Sequence, residues 1–367
     1  MRPTKYDLLV EQLESEINRH ELAPGKKIYS QSQLVDRFQV SRSCVNKALG
    51  LLQRRGMITA IPGKGNFVSL KTVRSFRLKS LIYLVDSATR TYMNGYDDFG
   101  TEIIWAIEQV CKENKVTFIM RSVAPDEFSQ LEDIVRDSGA DGVIISPRVR
   151  EEYNISEEHI VRIAATGIPT VYCDHPAVHP QIGCSMINYL DSLKSIVGRL
   201  LAANYRRIAV FYPGTSRYGM EISNAVMSIR NIYPGASIYD IDFSRPGVIY
   251  DQNIDMDQIA AAVSQARKDG NLPDVFICNT DHIAAKLLTA LKNVKLRIPE
   301  DVQIIGALNL EFGKSVEPAL STMAVKSEML GRKAFEIVRD MALKGEPPRV
   351  ERVPMTYIRR RSCLLAD

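Results

Sequence analysis

Residues 30–68 read SQSQLVDRFQVSRSCVNKALGLLQRRGMITAIPGKGNFV, and this stretch decides how the chain begins. Ser30 can cap a helix while Gln33, three residues on, reaches back to complete a capping box. Leu34, Val35 and Phe38 give that helix an apolar side, and Gln39-Val40 makes a short turn. Ser41 then caps a second helix in which Val45, Ala48, Leu49 and Leu52 recur at i, i+3, i+4 and i+7. Arg42, Ser43, Asn46 and Lys47 fall on its opposite face, within the turns where a recognition helix meets base edges and phosphates of a major groove. Gly56 suits the end of that helix. Residues 57–61 and 66–68 pair as strands around Pro62-Gly63-Lys64-Gly65, and glycines there let a backbone approach a phosphate or a minor groove.

Charge partition supports the same reading. Residues 1–80 hold 15 Lys and Arg against 6 Asp and Glu, a surplus of +9, while the whole chain is only +4. A basic head on a mildly acidic body is the footprint of a nucleic-acid binder; a protein–protein module of three helices and a hairpin is the alternative. Working outward, Leu22-Ala23-Pro24-Gly25, Val40-Ser41-Arg42, Ala48-Leu49-Gly50-Leu51-Leu52, Arg55-Gly56-Met57-Ile58 and Gly63-Lys64-Gly65-Asn66-Phe67-Val68 follow in order. In these elements the head resembles the winged helix-turn-helix of GntR-family transcription regulators, which implies DNA contacts at Ser30, Ser41, Arg42, Ser43, Asn46, Lys47, Gly63, Lys64 and Gly65. It departs from the family at Gln31-Ser32, where Glu-Arg is common, and at Asn46, where Arg is common.

The remainder is a globular body. At 367 residues with 45% apolar content, the chain suffices for two or three domains. The first residues are too charged for a secretory signal, and no apolar run is long enough for a membrane span, so a cytoplasmic location is expected. Six cysteines at 44, 111, 173, 184, 278 and 363 show neither pairing nor metal spacing. Past Lys71, Arg74, Arg77 and Lys79, which read as a connector near DNA, short apolar runs alternate with amphipathic stretches. The runs begin at Leu81, Val116, Gly142, Pro169, Arg207, Asp274 and Val302, a pattern of buried parallel strands joined by helices.

So many strands are expected in two doubly wound subdomains rather than one wide sheet. The expected boundaries are a head over residues 1–70, a linker over 71–80 and a two-lobed α/β body over 81–367. The first lobe takes residues 81–176 and 308–345, the second 177–307 and 346–362. Ligands collect at the carboxyl ends of strands in such folds, which selects Asp86, Ser146, Asp174, Asn279, Asp281 and Asn309. Each is also a type favoured at helix caps and turns; as a set they suit a hydroxyl-rich ligand, with Asp281 foremost.

The body resembles the periplasmic-binding-protein-like effector domain of LacI-family repressors. The matching stretches are Gly139-Ala140-Asp141-Gly142-Val143-Ile144-Ile145-Ser146-Pro147, Gly167-Ile168-Pro169-Thr170-Val171, Asn204-Tyr205-Arg206-Arg207-Ile208-Ala209, Pro273-Asp274-Val275-Phe276-Ile277-Cys278-Asn279-Thr280-Asp281 and Ile298-Pro299-Glu300-Asp301-Val302-Gln303-Ile304-Ile305-Gly306. This resemblance implies a two-lobed fold and sugar hydroxyls held by Asp281, with Ser146 and Asp174 lining the cleft. It also places Glu221 where a ligand-binding arginine often sits, with Arg217 and Tyr218 nearby. Gly306-Ala307-Leu308-Asn309 replaces an acidic cleft residue by an amide.

No nucleophile, acid–base pair, metal motif or phosphate loop supports an enzyme. The histidines at 20, 159, 175, 179 and 282 form no ligand set, and no cofactor is expected. Arg148 and Arg150 leave open a sugar phosphate or acid as ligand, and a sugar-modifying enzyme with a regulatory head is the remaining alternative. The expectation is a homodimeric repressor that binds operator DNA and responds to a monosaccharide such as arabinose or fucose.

Overall fold

The computed structural model describes residues 4–18, 22, 25–54, 56–61, 64–69, 78–86, 98–146, 157–177, 179–212, 217–242 and 256–366. Two compact units emerge, Met1–Lys79 with Val338–Pro347 and Ser80–Ile337 with Pro348–Asp367. Most of the expected linker lies outside the described residues.

In the first unit, α1 (Lys5–Asn18), α2 (Gln31–Phe38) and α3 (Arg42–Arg54) precede the antiparallel hairpin of β1 (Ile58–Ile61) and β2 (Gly65–Val68). Leu9, Leu13, Leu34, Val45, Leu52 and Met57 meet in one core. The capping box forms: Ser30 N donates to Gln33 Oε1 at 2.7 Å and Gln33 N donates to Ser30 Oγ at 3.2 Å. Gly56, at φ +66°, ends α3 in the left-handed conformation that a Cβ would strain. Arg37 on α2 donates to the buried Glu16 on α1 at 2.6 Å, which ties the two helices, and lies 4.8 Å over the ring of Tyr29 in the segment before α2.

The second unit opens with β3 (Ser80–Asp86), α4 (Asp98–Glu113), β4 (Thr117–Val123), α5 (Leu131–Asp137), β5 (Gly142–Ile145), α6 (Glu157–Ala165), β6 (Thr170–Cys173) and β7 (Gly183–Ile187). After α7 (Tyr189–Ala202) come β8 (Arg207–Tyr212), α8 (Arg217–Ile232), β9 (Ser237–Asp242), α9 (Met256–Lys268), β10 (Val275–Cys278), α10 (Asp281–Asn293), β11 (Gln303–Ala307) and β12 (Ser321–Val325). The chain closes with α11 (Ser327–Lys344), β13 (Val350–Val353) and β14 (Met355–Ile358). One sheet runs β13-β7-β6-β5-β3-β4 and the other β14-β12-β11-β10-β8-β9. In these two sheets every described pairing is parallel except β12 with β14. Strands such as Gly142–Ile145 and Val275–Cys278 are buried at every residue, which is why they read as unbroken apolar runs.

Sheet membership moves the lobe boundaries. β7 pairs with β6 and β13 with β7, so residues 183–187 and 350–353 belong to the first lobe, not the second. β12 pairs with β11, so residues 321–325 belong to the second, not the first. An apolar run announces a buried strand but not its sheet. The chain passes from one sheet to the other at Asn188, Lys326 and Pro354, each a single residue between elements. The start of α11 packs on the first lobe: Ser185 Oγ donates to Leu330 O at 2.9 Å, Arg332 pairs with Glu113 at 2.8 Å, and a Cβ on Gly331 would stand 2.8 Å from Ile103 O. Among the described residues no helix is long and apolar enough to cross a membrane.

Candidate DNA-reading surface and interlobe site

On the head, Ser41 Oγ accepts from Cys44 N at 3.2 Å and starts α3, with Val45, Ala48, Leu49 and Leu52 turned into the core. Arg42, Ser43, Asn46 and Lys47 are therefore left exposed together. Ser30 and Ser41 act as helix caps, with hydroxyls engaged by backbone N–H groups. The wing is fixed to the end of α3, because Gln53 Nε2 donates to Asn66 Oδ1 at 2.7 Å. Lys64 and Gly65 are exposed at its tip, and Gly63 lies outside the described residues.

In the body, strand order reverses between β3 and β5 in the first sheet and between β8 and β10 in the second, which sets the ligand crevice beyond the carboxyl ends of those strands. Ser146 follows β5, is 1% exposed, and its Oγ has no hydrogen-bond partner among the described residues. Asp174 follows β6 in the left-handed region at φ 55° and is buried. Its backbone carbonyl accepts from Tyr218 OH on α8, a bond that spans the lobes. The His175 ring stands edge-on to Tyr218, with centroids 5.3 Å apart, and also contacts Tyr172.

A second bridge lies alongside. Arg352 on β13 donates to Glu221 on α8 at 3.0 Å. The acid that the sequence places at a ligand-binding position is thus held in an ion pair between the lobes. Burial pushes the nearby Cys184 thiol up to about 12; Arg352 pulls it down, and Asp174 and Glu221 push it up. These groups therefore share one electrostatic neighbourhood. Arg352 and His175 are absent from the sequence-derived set, and their alignment with Asp174 and Glu221 needs the β7–β13 pairing, which the sequence does not reveal.

In the second lobe the foremost expected residue already has protein partners. Asp281 is wholly buried and hydrogen-bonded within its own lobe: its Oδ2 accepts from Leu310 N at 2.7 Å and its Oδ1 from Thr322 Oγ1 at 2.8 Å. Gly306 makes this possible, since a Cβ there would lie 1.9 Å from Asp281 Oδ1. Burial pushes the carboxyl up to about 6, against the pull of these hydrogen bonds and Arg360. Asn309 is likewise engaged: its Oδ1 accepts from Arg360, which also donates to Leu320 O at 2.6 Å. Both residues brace the loop after β11, Asp281 through both carboxylate oxygens and Asn309 through its backbone N–H and Oδ1. Asn279 is half-buried beyond β10 and extends the ladder by donating its N–H to Phe211 O at 2.9 Å. Asp86 ends β3, and its side chain lies outside the described residues, as does Arg148.

Residues 5–68 match the bacterial regulatory proteins of the gntR family, and residues 197–363 match the periplasmic binding protein-like domain. This chain is a transcription regulator with a gntR-family head and a periplasmic-binding-protein-like body. The regulator is 24% identical to an arabinose metabolism transcriptional repressor of Geobacillus stearothermophilus, over 92% of this chain and 91% of that protein. It is 22% identical to the HTH-type transcriptional repressor MelR of Bacillus subtilis, over 73% and 74% of the two chains. In fold its body matches a LacI family transcriptional regulator from Enterococcus faecium solved with bound ribose, at a TM-score of 0.59 and 19% identity, over 79% of the regulator and all of that chain. These relatives are regulators, not enzymes.

Proposed function

We propose that this regulator is a cytoplasmic, homodimeric repressor of a sugar-utilisation operon, released from its operator by a monosaccharide bound between the lobes. The observation that carries the reading is the buried, unpartnered Ser146 hydroxyl at the strand-order reversal, beside Asp174 and the interlobe contacts of Tyr218 and Glu221. A polar crevice of hydroxyl and carboxylate groups suits a polyhydroxyl ligand, whose hydroxyls would pair the buried oxygens and exclude water. The relatives' names, arabinose metabolism repressor and ribose-bound regulator, favour a pentose.

Sugar binding and DNA binding are coupled through lobe angle. A 100-fold loss of operator affinity requires the ligand to favour the DNA-incompetent arrangement by about 2.7 kcal/mol. Dimerisation follows from the need to present two heads to two half-sites. A thermal-shift screen of pentoses, deoxyhexoses and sugar phosphates is the direct test, since a ligand of the native state raises its apparent stability. A shift with a neutral sugar that also releases DNA in a gel-shift assay bears the proposal out. Shifts confined to phosphorylated sugars would replace the monosaccharide, and a shift without DNA release would remove the coupling. Arg42→Ala should weaken operator binding by about 1–3 kcal/mol at fixed salt and leave the sugar-induced thermal shift intact.

A further inference from the structure

We propose that Lys27, on the segment that pairs with β2, is a phosphate-contacting residue of the DNA-reading head. The inference rests on the wing tip meeting DNA and adds to it a cation from a segment distant in sequence. Three backbone bonds dock the segment on β2: Gly25 N donates to Val68 O at 2.9 Å, Val68 N to Lys26 O at 2.8 Å and Ile28 N to Asn66 O at 2.9 Å. Lys27 bridges Phe67 in antiparallel register. Ile28 enters the head core at 4% exposure, so the strand alternation turns Lys27 outward.

The Lys27 side chain then crosses the wing tip. Its Cε lies 3.0 Å from where a Cβ on Gly65 would stand and its Nζ 3.6 Å away, while Gly65 itself is at φ +105°. The φ of residue 65 favours glycine, and the lysine stem lies over the space that a side chain there would take. The ammonium is thereby held over the exposed backbone of Lys64–Gly65. No carboxylate pairs with Lys26, Lys27 or Lys64 among the described residues, whereas Arg37 in the same head is paired with Glu16. Lys26 and Lys27 on the docked segment and Lys64 in the turn before β2 are exposed cations that an anionic partner would stabilise. Spaced along a wing edge, they suit the sugar–phosphate backbone, which a lysine contacts as a point charge without reading sequence.

The test compares the full-length protein with Lys27→Met, Lys27→Arg and Arg42→Ala variants. Binding is titrated at several salt concentrations on a duplex selected by the protein from a random-sequence pool and on an unselected duplex of equal length. Each lost phosphate contact lowers the slope of log affinity against log salt by about 0.9, so the variant of a dimer with two heads on DNA should lose about 1.8. Lys27→Met keeps the stem over Gly65, so melting temperature should hold while the slope falls by about that amount on both duplexes and Lys27→Arg restores it. A Lys27→Met protein with the wild-type slope would reduce Lys27 to a packing residue and overturn the proposal. So would a loss confined to the selected duplex at unchanged slope. If Arg42→Ala fails to weaken the selected duplex, the recognition-helix reading falls, independently of the result at Lys27.

Discussion

The two lobes end their strands differently. Beyond the first sheet, Ser146 and Asp174 stay at the crevice, buried yet with the Ser146 hydroxyl unanswered by any described residue. Beyond the second, the Asp281 carboxylate accepts from Leu310 and Thr322 and the Asn309 side-chain oxygen from Arg360, all within that lobe. One lobe leaves hydrogen-bonding capacity for something else to use; the other spends it on shaping a loop. A polar residue after an apolar strand is therefore not one kind of site but two, separated by whether the lobe itself supplies the hydrogen-bond partners.

Deleting the buried carboxylate should break this contrast most visibly. Asp281→Ala strands the Leu310 N–H and leaves a cavity, and should cost about 3 kcal/mol near pH 5, read by chemical denaturation. Because burial holds the Asp281 carboxyl up at about 6, above its ordinary 3.8, the folded state keeps a proton that the unfolded chain has released. Its contribution is fully present below about pH 4 and is lost as pH rises through about 6, so the cost of the substitution should shrink toward pH 8. A cost that grows with pH, or one below about 1 kcal/mol at pH 5, would mean that Asp281 does not hold the loop after β11 as a buried, proton-retaining acceptor. Ser146→Ala should behave in the opposite sense. With no bond to lose, stability should stay within about 0.5 kcal/mol of wild type or rise, while sugar affinity, measured by calorimetry, should fall about tenfold. Stability loss without an affinity change would mean that the hydroxyl serves the fold. The smallest effect is expected for the bridge between lobes: a double-mutant cycle of Glu221→Ala and Arg352→Ala should give a coupling of about 0.2–1 kcal/mol, falling with salt, since both partners are partly exposed.

Local physics made much of the molecule legible from residue order. The capping box of Ser30 and Gln33, the left-handed Gly56, the exposed face of Arg42, Asn46 and Lys47, and the buried parallel strands all depend on contacts within a few residues or on a short period. What was not legible depends on partners far along the chain. Lys26-Lys27-Ile28 is too short and too charged to read as paired backbone until β2 supplies its hydrogen bonds. β7 and β13 fell to the wrong lobe because nothing local names their sheet. The placement of the Asp281 carboxylate follows from the missing side chain at Gly306, 25 residues later, and Glu221 acquires its meaning only from Arg352, 131 residues away.

The three crossings at Asn188, Lys326 and Pro354 carry a kinematic consequence. Each is one residue long, so the ends of the flanking elements lie at most about 7 Å apart, too short to act as a slack tether. Two are also stitched together, since Asn188 N donates to Val353 O at 2.8 Å, and Ser192 Oγ accepts from Met355 N at 2.9 Å. Three such struts forbid the lobes to slide or separate and leave rotation about the struts as the compliant motion. The body is then a device with one moving coordinate. Whatever the shape or polarity of the molecule that enters, it can be reported outward only as an angle, and two chemically different ligands that set the same angle would be indistinguishable to everything downstream.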